Sequence, residues 1–313
     1  MDLAIVIVSY NTRNLLAACL DAALAGLRRS GLDGEMWVVD NASVDGSAQM
    51  VAERFPNVHL VAHHENIGFA AGNNLALRMM DLGQSTSSPR HLLFLNPDTL
   101  VLNDALGIMV RFLDDTPDAG AIGAQLLYPD GSFQHSAFSF PGLAQIWFDF
   151  FPLHARLVES RINGRYPRRR YALGQPFEVD HPLGAALMIR AQTLDQVGIF
   201  DERFFIYSEE IDLCHRIKAA GWKIYCVPQA KIVHLVGQST QQFRDRMFVA
   251  LWRSRFLMFE KHHGLVFRWM ARRLVRLGLW AEGRRARKAQ LKGLIASAEL
   301  EGRLAAYREV MAW

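Results

Sequence analysis

Residues 3–98 repeat one pattern: a short apolar run stops abruptly at polar side chains, and a segment with apolar residues at helical spacing follows. Residues 3–8 read Leu-Ala-Ile-Val-Ile-Val and give way to Ser9, Tyr10 and Asn11. A run with no polar alternation predicts a central strand covered on both faces. Leucines at 15, 16, 20, 24 and 27 then fall near a 3.6-residue period, and Gly31 and Gly34 can close that helix. The same reading predicts strands over 36–39 and 58–62, helices over 46–54 and 69–80, and a further strand that enters Asn96-Pro97-Asp98. Strands alternating with helices need long crossovers, so the expected fold is α/β, with a mostly parallel, doubly wound sheet.

In such a sheet the carboxyl ends of the strands lie side by side, and polar residues gather at all of them. They are Ser9, Tyr10 and Asn11 after the first strand, and Asp40, Asn41, Ser43 and Asp45 after the second. Asn66 and Gly68 follow the third, and Asn96, Pro97 and Asp98 the fourth. Each group alone is ordinary turn or capping chemistry. Four in succession on one edge fit a nucleotide site, where Asp40 and a backbone group could read a pyrimidine edge. Pro97 has no N–H and stops the ladder, so Asp98 is held at the rim, where it could bind a divalent ion on a diphosphate. No Gly-x-Gly-x-x-Gly or Gly-Lys-Ser/Thr loop is present, so phosphates here need cations rather than a glycine cradle.

Beyond Asp98 the rhythm changes. Strands are expected over 118–127 and 132–138, around the turn Tyr128-Pro-Asp-Gly131, and then over 182–190, 223–227 and 231–236. Residues 141–175, rich in aromatics, prolines and arginines, read as a mobile or acceptor-facing loop. The segment Ser208-Glu-Glu-Ile-Asp-Leu-Cys214 opens a helix. With Ser208 as N-cap, a helical wheel puts Glu210 on the apolar stripe with Leu213, Cys214 and Ile217, and points Asp212 away. A carboxylate on that stripe must line a cleft or find a partner, and burial would raise its pKa towards that of a general base. Glu209 and Asp212 also suit the positive end of the helix, and Asp212 stands beside Gly184 and Ala185 as a candidate contact for acceptor or sugar. His234, near a strand end, could join Asp98 on a cation, although a lone histidine is commonly structural. Gly184 and Ala185 are small enough for close approach to a sugar, and helix packing explains them equally well.

The 313 residues are 50% hydrophobic and 21% charged, which suffices for one large domain with an extension. The expected division is 1–240, with a nucleotide-binding half 1–100 and an acceptor or catalytic half 101–240, followed by a basic helical extension 241–313. Three cysteines without metal-ligand spacing point to reduced thiols and a cytoplasmic location. Asp2 stands where a signal peptide carries positive charge, and no apolar run reaches the ~18 residues of a spanning helix. The net charge of +4 is concentrated in 268–288, where Arg268, Arg272, Arg273, Arg276, Arg284, Arg285, Arg287 and Lys288 alternate with Trp269, Leu274, Leu277, Leu279 and Trp280. This is either a solvated face that also packs on the domain or a peripheral contact with an anionic membrane, such as the inner face of the plasma membrane. Nucleic acid fits less well, since no recognition motif accompanies the charge.

Taken together, Val-Ser-Tyr-Asn11, Val-Val-Asp-Asn-Ala-Ser43, Asn66-Ile-Gly-Phe-Ala-Ala-Gly-Asn-Asn74, Leu-Asn-Pro-Asp98, Gly184-Ala-Ala-Leu-Met-Ile-Arg190, Gly198-Ile-Phe-Asp-Glu-Arg-Phe-Phe205, Glu209-Glu-Ile-Asp-Leu-Cys214 and Val-His234 resemble family 2 inverting glycosyltransferases, in particular the rhamnosyltransferase-like branch. Each motif is weak alone; their order and spacing over about 3–240 are specific. The resemblance implies a GT-A fold and a nucleotide-sugar donor such as a dTDP- or UDP-sugar. It also implies a divalent cation, magnesium or manganese, and a glycan or lipid-linked acceptor. By position, Tyr10, Asp40 and 66–73, with Asn73, match nucleotide contacts, Asp98 ends the metal-binding Asp-x-Asp element, and His234 matches a later metal or phosphate contact. Glu210 falls where the family has an aspartate base. Asn96 replaces the first Asp of the wider pattern, and Glu210 is one methylene longer than Asp, which keeps Glu209 as a second candidate. Two rivals stand beside this reading. A sugar nucleotidyltransferase would need a basic glycine-rich phosphate loop, which is absent; a non-catalytic glycan- or membrane-binding module would release no nucleoside diphosphate.

Overall fold

β1 (Leu3–Ser9) is buried along its whole length, as an unbroken apolar run requires. The computed structural model, which describes residues 1–80, 88–152, 154–235 and 244–313, pairs β1 in parallel with β2 (Gly34–Asn41) and β4 (His91–Leu95). β3 (His59–His63) lies parallel beyond β2. Register sets Ser9 opposite Asp40 and Asp40 opposite Ala62, so the predicted strand ends do share one edge. The chain runs outward from β1 to β3 and then returns to β4 on the other side of β1. Strand order therefore reverses between β1 and β4, and the crevice outside the carboxyl ends at such a reversal is where open α/β sheets bind ligands.

The first helices form for the reasons their sequences give. α1 (Arg13–Ser30) buries Leu16, Cys19, Leu20, Ala23 and Leu27 on one face, and Gly31 ends it at φ 66°. These side chains join Ile5, Ile7, Val38, Leu93 and Leu106 in the main core. α2 (Ser47–Arg54), α3 (Phe69–Met79) and α4 (Ala105–Asp115) supply the other crossovers.

The rest of the sheet is mixed. β5 (Thr99–Val101), β6 (Ala119–Leu127), β11 (Ala186–Arg190) and β12 (Lys223–His234) complete the order β3-β2-β1-β4-β11-β6-β12-β5. β11 is antiparallel to both β4 and β6, β12 is parallel to β6, and β5 is antiparallel to β12. The two strands expected over 223–227 and 231–236 are one in the described residues, interrupted by a register shift between Val227 and Lys231; residue 236 lies outside them. The strand expected over 132–138 is two short pieces: β7 (Phe133–Gln134) pairs with β6, and β8 (Ala137–Phe138) pairs with β10 (His181–Pro182). β9 (Phe177–Glu178) adds to β12, and α8 (Ala191–Val197) follows β11.

The stretch expected to be a loop over 141–175 is largely helical. It contains α5 (Leu143–Phe150), α6 (Ala155–Val158), a 3-10 turn (Arg161–Asn163) and α7 (Arg168–Ala172). Ile146 and Phe150, one turn apart and both buried, give α5 an apolar face. The described residues fall into two compact units, 1–138 with 168–205 and 209–239, and 139–167 with 206–208 and 240–313. The second unit is thus discontinuous in sequence. Within it, α10 (Arg244–His262), α11 (Leu265–Leu291) and α12 (Ser297–Met311) pack together. Phe150 stacks on Trp252 with centroids 5.3 Å apart and fills the space that Gly278 leaves. Among the described residues no helix is long and apolar enough to cross a membrane.

Candidate active site

The loops after β1 and β2 are tied together before any ligand is considered. The Asn11 N–H donates to Ser43 Oγ at 2.9 Å, the Val44 N–H to Asn11 Oδ1 at 2.8 Å, and the Ser43 N–H to Asp40 Oδ2 at 3.0 Å. Asn11 and Ala42 take left-handed backbone, at φ 53° and 62°, a conformation that Asn tolerates and that costs Ala energy. Asn11 and Ser43 therefore shape the rim. Asp40 is almost wholly buried, and its second oxygen, Oδ1, has no hydrogen-bond partner among the described residues. A buried acceptor left open at a sheet edge suits a donor from a ligand. Ser9 is fully buried and shares a 2.8 Å hydrogen bond with Thr12. Tyr10 is half-buried at the same edge.

The third loop is braced in the same manner. Asn66 Oδ1 accepts the Gly68 N–H at 3.0 Å, and Asn41 Nδ2 donates to the Gly68 carbonyl at 2.9 Å. Gly68 has φ 88°, and a Cβ there would collide with the Phe205 carbonyl, which itself accepts the Phe69 N–H. Only glycine fits. Asn73 is fully buried, with Nδ2 donating to the Phe69 carbonyl at 2.9 Å, and it braces α3 from within.

At the reversal point the antiparallel β11 links two predicted regions. Its ladder with β4 ends with the Asn96 N–H donating to the Ala185 carbonyl at 2.9 Å, so the turn bearing Gly184 and Ala185 lies against Asn96-Pro97-Asp98. The pairing of β5 with β12 sets Thr99 opposite His234, and the Leu235 N–H donates to the Asp98 carbonyl. His234 Nε2 and Asp98 Oδ1 are consequently 3.5 Å apart, both nearly buried. Donors about 2.1 Å from an octahedral ion lie roughly 3 Å apart when adjacent, so this pair fits two neighbouring ligands of a divalent cation. Among the described residues no group of three or more His, Cys, Asp or Glu could hold a metal unaided. The remaining ligands would have to come from a bound diphosphate and water.

α9 (Glu209–Ala219) carries the second acidic cluster, and its expected stripe of Leu213, Cys214 and Ile217 is buried, while Asp212, expected outward, is buried too. Glu209, Asp212, Leu213, Cys214 and Ile217 are the buried residues, while Glu210 is half-buried. Asp212, expected to point away and to meet acceptor or sugar, has no exposed surface and accepts from Arg216 Nε at 3.1 Å. Arg216 in turn donates to the carbonyls of Val197, Gly198 and Ile199. Asp212 is therefore a strut, because the i+4 arginine makes burial of its charge tolerable. Burial first, and then the charge of Glu210, push the Glu209 carboxyl well above the usual range. Glu210 packs over Gly184, where an added Cβ would lie 3.3 Å from Glu210 Cγ. The backbone just before the helix is unusual, with Tyr207 and Ser208 both left-handed at φ 70° and 65°.

Comparison with known proteins decides the family. Residues 4–194 match the family model described as Glycosyl transferase family 2. The chain belongs to that family. It is 28% identical over 235 residues, 72% of this chain and 74% of the relative, to the N-acetylglucosaminyl-diphospho-decaprenol L-rhamnosyltransferase of Mycobacterium tuberculosis. Its fold is similar to that of the mannosyltransferase PcManGT from Pyrobaculum calidifontis, solved with GDP-Man and Mn2+, with TM-score 0.56, 19% identity, and coverage of 99% of this chain and 83% of that one. It is also similar to GalNAc-T7, solved with UDP, GalNAc and Mn2+, with TM-score 0.56, 14% identity, and coverage of 75% of this chain and 44% of that one.

In this family 2 glycosyltransferase, then, Asp40, Asn96 to Asp98, His234, Gly184 and Glu210 belong to the same carboxyl edge of the sheet or to turns bonded to it. Two residues that hold this arrangement were not singled out from sequence. Gln134, buried on β7, contacts His234 Nδ1 at 3.3 Å. Arg216 carries Asp212. The signal for Gln134 was a polar residue on the inward parity of Phe133-Gln134-His135-Ser136, in which Gln134 and Ser136 are buried and their neighbours half-exposed.

Proposed function

We propose that this glycosyltransferase moves a hexose of the rhamnose type from a dTDP- or UDP-linked donor to a glycan or lipid-linked acceptor, inverting the anomeric centre. The observation that carries the reading is the meeting, at one sheet edge, of an open buried acceptor on Asp40, the Asp98–His234 pair, and Glu210 over a glycine turn. The mycobacterial relative, by its name, transfers L-rhamnose to a lipid-linked diphosphate sugar, which supports both halves of the specificity. Asp98 and His234 would hold magnesium or manganese; when bound, the cation supplies positive charge to the departing diphosphate.

The chain's own residues do the rest. Asp40 Oδ1 accepts an N–H from the nucleobase, and the braced loops at Asn11, Ser43, Asn66 and Gly68 keep that oxygen in place. Glu210 takes the proton of the acceptor hydroxyl while that oxygen bonds to the anomeric carbon and the bond to the diphosphate oxygen breaks. Gly184 gives the Glu210 side chain its room. Burial, and then the Glu210 charge, hold the Glu209 carboxyl well above its usual range, which favours half-buried Glu210 over Glu209 as the base. Glu210→Gln should lower transfer by about 10²–10⁴-fold while a panel of nucleotide sugars still raises the melting temperature in the presence of Mn2+. Near-normal transfer by that variant would end the base assignment.

A lipid-linked acceptor sets the place of work at a membrane, and α11 has a face for it. Val266, Trp269, Leu277 and Trp280 are exposed by 47–71% and share one side with Arg273 and Arg284, whose guanidinium groups lie 5.5 Å and 4.9 Å from the Trp269 and Trp280 rings. Glu282, paired with Arg285, is the sole acid of the helix. Tryptophan and arginine on one exposed face, without acids, suit the headgroup layer of an anionic leaflet. Leu279, counted with that segment from sequence, is buried instead. Sedimentation with vesicles containing phosphatidylglycerol, reversed by salt and lost in Trp269→Ser/Trp280→Ser, is the expected result; indifference to those vesicles would refute peripheral attachment.

A further inference from the structure

Gln134 does more than fill space next to His234. Its Nε2 lies 3.3 Å from His234 Nδ1, and His234 Nε2 faces Asp98 Oδ1 at 3.5 Å. With the amide turned this way an N–H can donate to Nδ1 only if that nitrogen carries no proton, which leaves the ring N–H on Nε2, towards Asp98. That tautomer cannot bind a cation through Nε2, because the nitrogen's in-plane lone pair is used by the N–H. The opposite orientation of the same amide brings Oε1 to Nδ1, accepts an Nδ1–H, and leaves the Nε2 lone pair free beside Asp98. Gln134 is 6% exposed, and its Oε1 has no hydrogen-bond partner among the described residues. Turning the amide therefore breaks no bond at Oε1 among the described residues, and the bond to His234 is remade with donor and acceptor exchanged.

We infer that Gln134 is the positioning residue of the cation site: its amide selects which nitrogen of His234 bears the proton, holding the metal-free tautomer through Nε2 and the ligating tautomer through Oε1. The inference rests on the assignment of Asp98 and His234 as the cation's ligands. No net proton is gained or lost; one leaves Nε2 and one is taken up at Nδ1. Glutamine is suited to this task because it presents a donor and an acceptor of nearly the same shape. A carboxylate in its place can only accept and would fix the ligating form, whereas a thioether offers a very weak acceptor and no N–H.

The test uses the full-length protein and Mn2+ alone, with free Mn2+ followed by electron paramagnetic resonance. Gln134→Met should weaken Mn2+ binding by about 10–100-fold, the range for residues that orient a metal-bound histidine, while Gln134→Glu should bind at least as tightly as the parent protein. A role in packing alone predicts the reverse order, since a buried carboxylate disturbs the fold more than a methionine does. Equal binding by Gln134→Met and the parent, or equal weakening by both variants, overturns the inference. If His234→Ala loses Mn2+ while Gln134→Met keeps it, only this inference falls; if His234→Ala keeps Mn2+, the ligand assignment falls with it. The parent protein gives an independent readout that needs no variant at Gln134. In ¹⁵N-histidine spectra, with His234 assigned by its loss in His234→Ala, added Mg2+ should move the ring proton from Nε2 to Nδ1. An unchanged tautomer in the Mg2+-saturated protein overturns the proposal.

Discussion

Replacing Arg216 by methionine should unfold the protein far more readily than its position on a helix surface suggests. Asp212 has no exposed surface, while the Arg216 side chain is 24% exposed. Removing the arginine leaves a carboxylate in the interior without its cation, a change worth about 3–5 kcal/mol. It also strips the donors from the carbonyls of Val197, Gly198 and Ile199. Water can reach part of that space, so these three add about 1 kcal/mol together rather than about 1 each. Arg216→Met alone should therefore cost about 4–6 kcal/mol, and Asp212→Asn, which removes the charge but keeps the shape, about 1–3 kcal/mol. The double variant should be more stable than the sum implies, by about 1–3 kcal/mol, because no orphaned charge remains. Urea unfolding followed by far-ultraviolet circular dichroism, with nucleotide-sugar transfer measured in parallel, reads all four proteins. A coupling below about 0.5 kcal/mol would refute the strut. So would an Asp212→Asn protein of unchanged stability that had lost transfer, and that result would return Asp212 to the sugar.

Glu209 gives a pH prediction of definite sign. Burial, and then the Glu210 charge, hold its folded-state pKa well above the usual carboxylate range, so the folded protein retains a proton that the unfolded chain releases, and stability falls as pH rises from that range towards the raised folded value. Glu209→Gln cannot ionise, so its melting temperature should gain on the parent as pH rises above about 5; a constant difference refutes the assignment. Gly68→Ala combines a left-handed backbone with a Cβ driven into the Phe205 carbonyl and should cost about 2–4 kcal/mol, measured by urea unfolding; a loss under about 0.5 kcal/mol would refute the close approach. Asp98→Ala should abolish the part of donor-induced thermal stabilisation that depends on Mn2+. Stabilisation equal to that of the parent would remove Asp98 from the cation site.

The first half of the fold was legible because its strands are buried on both faces, which leaves continuous apolar runs, and because each run ends where the sheet ends. Ser9, Asp40 and Asn96 could be aligned on one edge from that fact alone. Strand direction leaves no comparable trace, so β11 could be located near 182–190 but its antiparallel course could not be read. α5 was hidden by the prolines and aromatics around it, although Ile146 and Phe150 were at helical spacing. On α9 the wheel found Leu213, Cys214 and Ile217 but turned Asp212 outward, because a wheel counts no ion pairs: Arg216, one turn on, compensates Asp212 and permits it inside. Gln134 sits on a strand of two residues, and its inward parity passes unnoticed because the inward positions, Gln134 and Ser136, are the polar ones.

The antiparallel course of β11 has a practical meaning for anyone redesigning the acceptor. Through the bond from Asn96 to Ala185, the Asn96-Pro97-Asp98 turn, proposed here for the diphosphate, and the turn beneath Glu210 are rungs of one ladder. Shifting β11 by a single residue would displace both at once and would also turn the buried side chains of Leu187 and Met188 to opposite faces. New specificity is thus better sought in side chains that project from the turn and from half-buried Phe133, His135 and Phe138 than by lengthening or shortening the chain between Leu183 and Arg190.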